Sequence, residues 1–405
     1  MTTIELAETA TPTRLPLVIP EIAACMEDFV SIRRAIHAHP ELGFEEHETS
    51  RRVAQLLTEW GYEVTTGLAG TGVVGRLKAG TSTRTLGIRA DMDALPIQEN
   101  TGLPWASRSA GKMHACGHDG HTTILLAAAR HLACTRQFDG TLNLIFQPAE
   151  EGQGGAARMI AEGLFERFPC DAVYGLHNGP TLPVGSFIVQ PGVFAASADV
   201  AKITLTGRGG HAGMPHLSID PVMAMASLIQ AIQTIVSRNV GPNEAAVVTI
   251  GSVYAGHAAN VIPDTATIEL TVRTFNAQVQ QLIEKRLREL IEHQAKSFGV
   301  TATLDWQPIC RVLVNHPEET ALARRVAEAT VGPKGLVPFP AGAMGGDDFS
   351  WMLERVKGCY VVLGNGVESH GGCMIHNPGY DFNDALIGIG ASFWVHLTEA
   401  FLDAR

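Results

Sequence analysis

Three short apolar runs each stop at residues that carry chemistry, and this repetition narrows the fold more than any other feature of the chain. Thr85–Ala90 runs into Asp91 and Asp93, Leu142–Gln147 into Glu150 and Glu151, and Asp171–Leu176 into His177. Helical segments at 119–133 and 155–164 lie between the runs. Strands alternating with helices predict an α/β fold: a mostly parallel sheet with flanking helices. Open sheets of that kind gather their sites beyond the carboxyl ends of the strands. A helix is expected at 21–39, where Ile22, Met26, Phe29, Ile32 and Ile36 share a face ahead of Pro40. Others are expected at 45–60, 317–330, 347–355 and 383–403, with further strands at 71–77 and 359–363.

The pattern changes in the middle of the chain. Residues 198–207 (ADVAKITLTG) alternate apolar and polar, and a helix at 220–238 starts behind Asp220-Pro221, a capping residue followed by proline in the first turn. Strands at 245–252 and 265–274, a charged helix at 278–298 and a strand at 300–306 complete a β-α-β-β-α-β order, the ferredoxin-like unit. The expected layout is a discontinuous catalytic domain of residues 1–196 and 308–405, interrupted by a compact module of residues 197–307. The first ~18 residues read as a loosely ordered lead-in.

Between the first two runs lies Met113-His114-Ala115-Cys116-Gly117-His118-Asp119-Gly120-His121. Cys116 and His118 offer soft and borderline donors, and Gly117 and Gly120 let the backbone bend so that they converge. A lone Cys-x-His is more often inert core. Its placement at the same sheet edge as Glu150, Glu151 and His177, with His376 in another turn, favours a divalent-metal site. Structural zinc needs four closed Cys/His ligands, and no set is spaced for it. Neighbouring side chains diverge on an extended segment, so one of Glu150 and Glu151 is expected to hold an ion and the other to face water. The plain alternative for that pair is a solvated turn.

Composition excludes several classes. The net charge is −11 with no basic cluster, so nucleic acid is not expected as a partner. Charged residues make up 18% and apolar residues 45%, which fits a large core or extra buried interface. An acidic protein that binds a carboxylate needs a local cation in the pocket. Seven scattered cysteines without C-x-x-C read as free thiols in a reducing, cytoplasmic setting. No signal peptide and no membrane span are expected.

The chain resembles the M20 metallopeptidase family, in particular the amidohydrolase branch of hippurate hydrolases, N-acyl-amino-acid amidohydrolases and plant auxin-conjugate hydrolases. The resemblance is carried by Arg34–Phe44 (RAIHAHPELGF), Arg89–Pro96 (RADMDALP), Met113–His121, Gln147–Gly152, Gly175–Asn178, Gly209–Pro215 (GGHAGMP), Ala259–Pro263 (ANVIP) and Ile375–Asp384 (IHNPGYDFND). It implies five ligands, Cys116, His118, Glu151, His177 and His376, holding two divalent ions (Mn, Zn, Co or Ni), with Cys116 bridging. It implies Glu150 as general base and then acid, and Asp93 or Asp91 behind a ligand. His211 would donate to the tetrahedral oxyanion from the other subunit of a homodimer built through the inserted module, which acts as a lid. Otherwise it is a loop histidine beside glycines. Arg273 would grip a substrate carboxylate and Asn260 donate to carbonyl or carboxylate; a surface arginine and a turn asparagine are the bland alternatives. His114, His121, His257 and His370 are lesser candidates, and His216 is left without a role. One departure stands out: relatives often have Ser-Glu-Asp-Phe where this chain has Gly346-Asp347-Asp348-Phe349.

The expected activity is metal-dependent hydrolysis of N-acyl amino acids, small molecules of hippurate type. The rivals are a dipeptidase and a metal-binding relative without catalysis.

Overall fold

The computed structural model describes residues 15–339, 342–368 and 372–403. Most of the expected lead-in, residues 1–14, and His370 lie outside them. The large sheet has seven strands, in spatial order Glu63–Leu68, Gly72–Ala79, Gly140–Gln147, Thr85–Asp91, Ala172–Pro180, Gly358–Gly366 and Phe187–Ile188. The inner four pair in parallel, and the pairings at both edges are antiparallel. All eight residues of Gly140–Gln147 are buried, as expected of a strand covered on both faces. The edge strand Glu63–Leu68 lacks that apolar run, which is why sequence pattern does not reveal it. The helices His118–Thr135 and Ala385–Phe401 lie deep in the core on one side. A second apolar cluster around Phe194, Phe349 and Tyr360 fills the other side.

The chain leaves this body at Ser197 and returns at Cys310. Between them is a four-stranded antiparallel sheet in the order Ala246–Ala255, Thr265–Thr274, Ser197–Thr206, Thr301–Cys310. Two helices, Pro221–Asn239 and Ala277–Ser297, cover one face. The Asp220 and Asn276 side chains cap them, each accepting the backbone N–H two residues on at 2.8 Å. The strand Thr265–Thr274 alternates inward and outward strictly, so its register is fixed by one buried face. Ile203, Leu228, Ile232, Ile268, Ile283 and Leu287 form the core of this unit.

Two of the expected helices need correction. The helix over 21–39 is broken into Pro20–Ala23 and Met26–His37. The segment over 155–164 ends at Ala161, and a short second helix, Leu164–Arg167, follows behind Gly163, whose φ is 88°.

Candidate metal centre and active site

The candidate donors come from four separated segments. Cys116 precedes Gly117, whose φ of 94° turns the chain into the helix that begins with His118. Glu150 and Glu151 follow the buried strand Gly140–Gln147. His177 was expected just past a strand end, but its strand continues to Pro180. The reason is its parallel neighbour, which keeps pairing through Leu363, Gly364 and Gly366. His376 lies in the C-terminal loop, and its N–H donates to the Ala115 carbonyl at 2.7 Å.

These side chains converge. Cys116 Sγ is 3.3 Å from His177 Nε2, and His376 Nε2 is 3.2 Å from Glu151 Oε1. His118 Nε2 is 3.9 Å from Glu151 and 4.0 Å from Glu150. Cys116, His118 and His177 offer ligand atoms all within 4.8 Å of one another, and so do Cys116, Glu151 and His376. Cys116 belongs to both sets.

The chemistry of these donors fits cations. His118 Nε2 and Glu151 Oε1 are buried without a hydrogen-bond partner, a costly arrangement unless something else occupies the space between them. The rings are oriented for ligation. His118 Nδ1 is held by Asp93 Oδ1 at 3.1 Å, and His177 Nδ1 donates to the Asn178 carbonyl at 2.7 Å, so each Nε2 faces the cluster. Burial pushes the Cys116 thiol well above its usual range, and Glu151, Glu150 and Asp91 add to the effect. Burial likewise raises Glu150, helped by Asp347, Glu151 and Asp348. Burial works to lower His118, yet Asp91 and Asp93 push it up to about 10. All three shifts are those of a pocket short of positive charge, the deficit a bound cation removes. Burial holds His177 well below its usual range, leaving a neutral imidazole.

A further layer holds the donors. Asp93 also accepts the Glu151 N–H at 2.9 Å. Asp91, which sequence alone could not distinguish from Asp93, instead takes His121 Nδ1 at 2.6 Å and Arg89 at 2.6 Å. Buried Glu46 accepts the Ala149 N–H at 2.8 Å and fixes the turn that presents Glu150. Ala149 and His376 both have left-handed backbones, with φ of 53° and 61°, so non-glycine strain sits beside Glu150 and at His376 itself. Arg89, Glu46 and Asn178 had no assigned part in the sequence. Arg89 and Asn178 lie inside the RADMDALP and Gly175–Asn178 motifs, with nothing to separate support from chemistry, and Glu46 falls two residues past RAIHAHPELGF. His114 is buried with both ring nitrogens unpartnered, and burial lowers it to about 4.

The departure at 346–349 has a steric cause at its first position. A Cβ on Gly346 would come within 2.3 Å of Cys310 Sγ and 2.9 Å of the Ala196 carbonyl. Asp347 touches no candidate ligand through a hydrogen bond; it accepts from Tyr360 at 2.7 Å and from Arg89 at 3.1 Å.

The donors open onto a cleft of about 530 Å³ that is also lined by Arg273, Phe194, Phe339 and Ile375. His211 and Asn260 do not line it. His211 pairs with Val261, the residue after Asn260, on the exposed face of the second unit. The Gly213 N–H donates to His211 Nδ1 at 3.0 Å, which leaves Nε2 carrying the proton and pointing outward as a donor. His216 and His257 are exposed nearby.

The sequence profile of Peptidase family M20/M25/M40 matches residues 87–400. The chain belongs to this family. It is similar to a hippurate hydrolase of Campylobacter jejuni, with 44% identity over 95% of this chain and 99% of the relative. It is 39% identical to the IAA-amino acid hydrolase ILR1-like 2 of Arabidopsis thaliana, over 93% of this chain and 85% of the relative. Among solved structures it resembles the Bacillus subtilis YXEP protein, a dinuclear metal binding peptidase from the M20 family, with a TM-score of 0.78 and 33% identity over 95% and 100% of the two chains. No described helix is long and apolar enough to cross a membrane.

Proposed function

We propose that this M20 protein is a metal-dependent amidohydrolase that cleaves the amide bond of N-acyl amino acids, releasing a carboxylic acid and a free amino acid. Its relatives act on this bond type, among them the hippurate and IAA-amino acid hydrolases. The observation that carries the reading is the convergence of Cys116, His118, Glu151, His177 and His376 beside Glu150, with two buried ligand atoms left without a hydrogen-bond partner. Two divalent ions (Mn, Zn, Co or Ni) would be held by those five side chains, Cys116 belonging to both. Bound there, such ions supply Lewis acidity toward the carbonyl and lower the pKa of water from about 15.7 to about 7.

The protein's own groups do the rest. Glu150, beside the candidate ligands with its Oε2 4.0 Å from His118 Nε2 and its side chain mostly buried, takes a proton from the attacking water and returns it to the leaving nitrogen. Asp93 holds His118 and Glu151 in place. Arg273 on the cleft wall receives the α-carboxylate of the amino acid, a local cation in a protein of net charge −11. His211, with Nε2–H facing out, is the oxyanion donor, and Asn260 beside it hydrogen-bonds the substrate. Neither lines the cleft of one chain, so both are assigned to the cleft of a partner subunit in a homodimer. The unit of residues 197–307 then serves as dimerisation module and lid for the body of residues 1–196 and 308–405.

Chelated protein is expected to be inactive and to recover with added divalent ion. Glu150→Gln should bind the same metal load and lose ~10²–10⁴-fold in kcat. An unchanged kcat would remove Glu150 from the chemistry. A panel of N-benzoyl and N-acetyl amino acids against dipeptides separates this activity from a dipeptidase.

A further inference from the structure

Asn178 is the neighbour of a candidate ligand, yet its side chain points to the opposite side of the strand from His177. It is 2% exposed, and all four of its polar groups are engaged. Its backbone N–H donates to His121 Nε2 at 3.0 Å, and its carbonyl accepts the His177 Nδ1–H at 2.7 Å. Its amide Nδ2 donates to the Cys116 carbonyl at 2.6 Å, and its Oδ1 accepts the Tyr380 hydroxyl at 2.7 Å. Tyr380 is fully buried, four residues beyond His376. One amide therefore joins the Cys116 loop, the His177 strand and the His376 loop.

The chain is shaped for this junction. A Cβ at Gly117 would lie 2.4 Å from Asn178 Nδ2 and 2.6 Å from the Tyr380 hydroxyl, so the space beside Cys116 is open only because residue 117 is glycine. Closing it with any side chain would push apart the Cys116 loop and the Asn178–Tyr380 pair. The three tied segments carry Cys116, His177 and His376, each of which belongs to a Cys116-containing donor set.

We propose that Asn178 and Tyr380 are positioning residues that set where the Cys116 sulfur sits relative to His177 and His376, and so tune metal binding at the thiolate shared by both sets. The inference rests on the ligand assignment of the proposed function and goes beyond it, because neither residue touches the ions. An isosteric Asn178→Asp keeps the Tyr380 acceptor and loses the Nδ2 donor, which serves the Cys116 carbonyl and, at 3.1 Å, His121 Nε2. Tyr380→Phe keeps the ring and loses only the hydroxyl, and it serves where a buried aspartate fails to fold.

The test is a cobalt(II) titration of chelated protein, reading stoichiometry, affinity and the thiolate-to-cobalt charge-transfer band, with thermal midpoints measured alongside. The expected result is ~10-fold or greater weakening of cobalt binding in each variant, with a displaced or weakened charge-transfer band. Wild-type affinity and band in both variants, even with a lowered thermal midpoint, would make the junction merely structural and overturn the proposal. If the wild-type protein itself shows no thiolate band, the ligand assignment fails first and this inference falls with it.

Discussion

The two regions of the molecule are stabilised by different means. Behind the donor cluster, two arginines are fully buried among carboxylates. Arg33 reaches Asp381 and Asp384 at 2.7 Å each and Asp119 at 3.3 Å. Arg89 reaches Asp91 at 2.6 Å, Asp347 at 3.1 Å and Asp348 at 3.3 Å. His37 joins the first group, 2.8 Å from Asp119; burial works against its charge, but Asp119 and Glu99 push it up to about 9. The unit between Ser197 and Cys310 has an apolar core, and its ion pairs, such as Arg288–Glu284 and Lys296–Glu292, are on the surface. Buried ion pairs add little net stability over a well-packed apolar core but penalise every geometry except one. They are found behind the candidate donors, where one geometry has to be kept, whereas the described ion pairs of the second unit are confined to its surface.

The sharpest way to break that contrast is to remove one buried cation. Arg33→Met leaves Asp119, Asp381 and Asp384 without their main partner and should cost ~3–5 kcal/mol in urea denaturation. The same change at Arg288, an exposed helix pair with Glu284, should cost no more than ~0.5 kcal/mol. Equal losses at the two sites would mean that buried charge does not distinguish the regions. Arg33 also ties the helix that begins at His118 to the loop that follows His376, so metal retention should fall with stability.

A second test asks whether the apolar unit carries chemistry at all. His211 is exposed and makes no core contact, so His211→Ala should leave thermal stability and metal content unchanged. As the oxyanion donor, it should lower kcat ~10²–10³-fold. An unaltered kcat would confine the reaction to the body and reduce the second unit to a spacer.

The same contrast explains what the sequence made legible. Apolar runs ending in Asp, Glu and His located the sheet edge, and alternation marked the second unit, because both follow from which faces are buried. The candidate donors stood out because Cys, His and paired Glu are concentrated in short segments such as Met113–His121 and Gln147–Gly152. What pattern alone could not supply was direction. Asp91 and Asp93 are two residues apart on one extended segment, and only the fold shows that one serves His121 and the other His118. Arg33, next to the RAIHAHPELGF segment, reads as one more charge on an amphipathic helix, although it is buried against residues some 350 positions away. The short strands at Phe187–Ile188 and Leu313–Asn315 were missed because their partners, at 362–363 and 192–195, are distant in sequence, whereas Glu63–Leu68 pairs with the next strand and was missed for want of an apolar run.

The smallest expected effect concerns the one carboxylate buried in the apolar unit. Both carboxylate oxygens of Asp199 accept from Gln280 Nε2, at 2.8 and 2.7 Å, and Trp306 is a further hydrogen-bond partner. Burial pushes its pKa up to about 6, with Glu284 adding to the rise and Gln280 and Arg311 opposing it. The folded value lies above the unfolded one, so the folded protein binds the proton more tightly. The resulting stability is full below about pH 4 and is lost as the pH rises through 6. At neutral pH the native unit therefore holds a charge that it would rather not hold. Asp199→Asn should remove this dependence between pH 4 and 6 and match or exceed the wild type above it, by roughly 1 kcal/mol or less. Thermal denaturation of both proteins from pH 4 to 8 reads the difference. A variant that is less stable throughout would show that the ionised carboxylate is an organising contact here as well, and that the two regions differ in the number of buried charges rather than in kind.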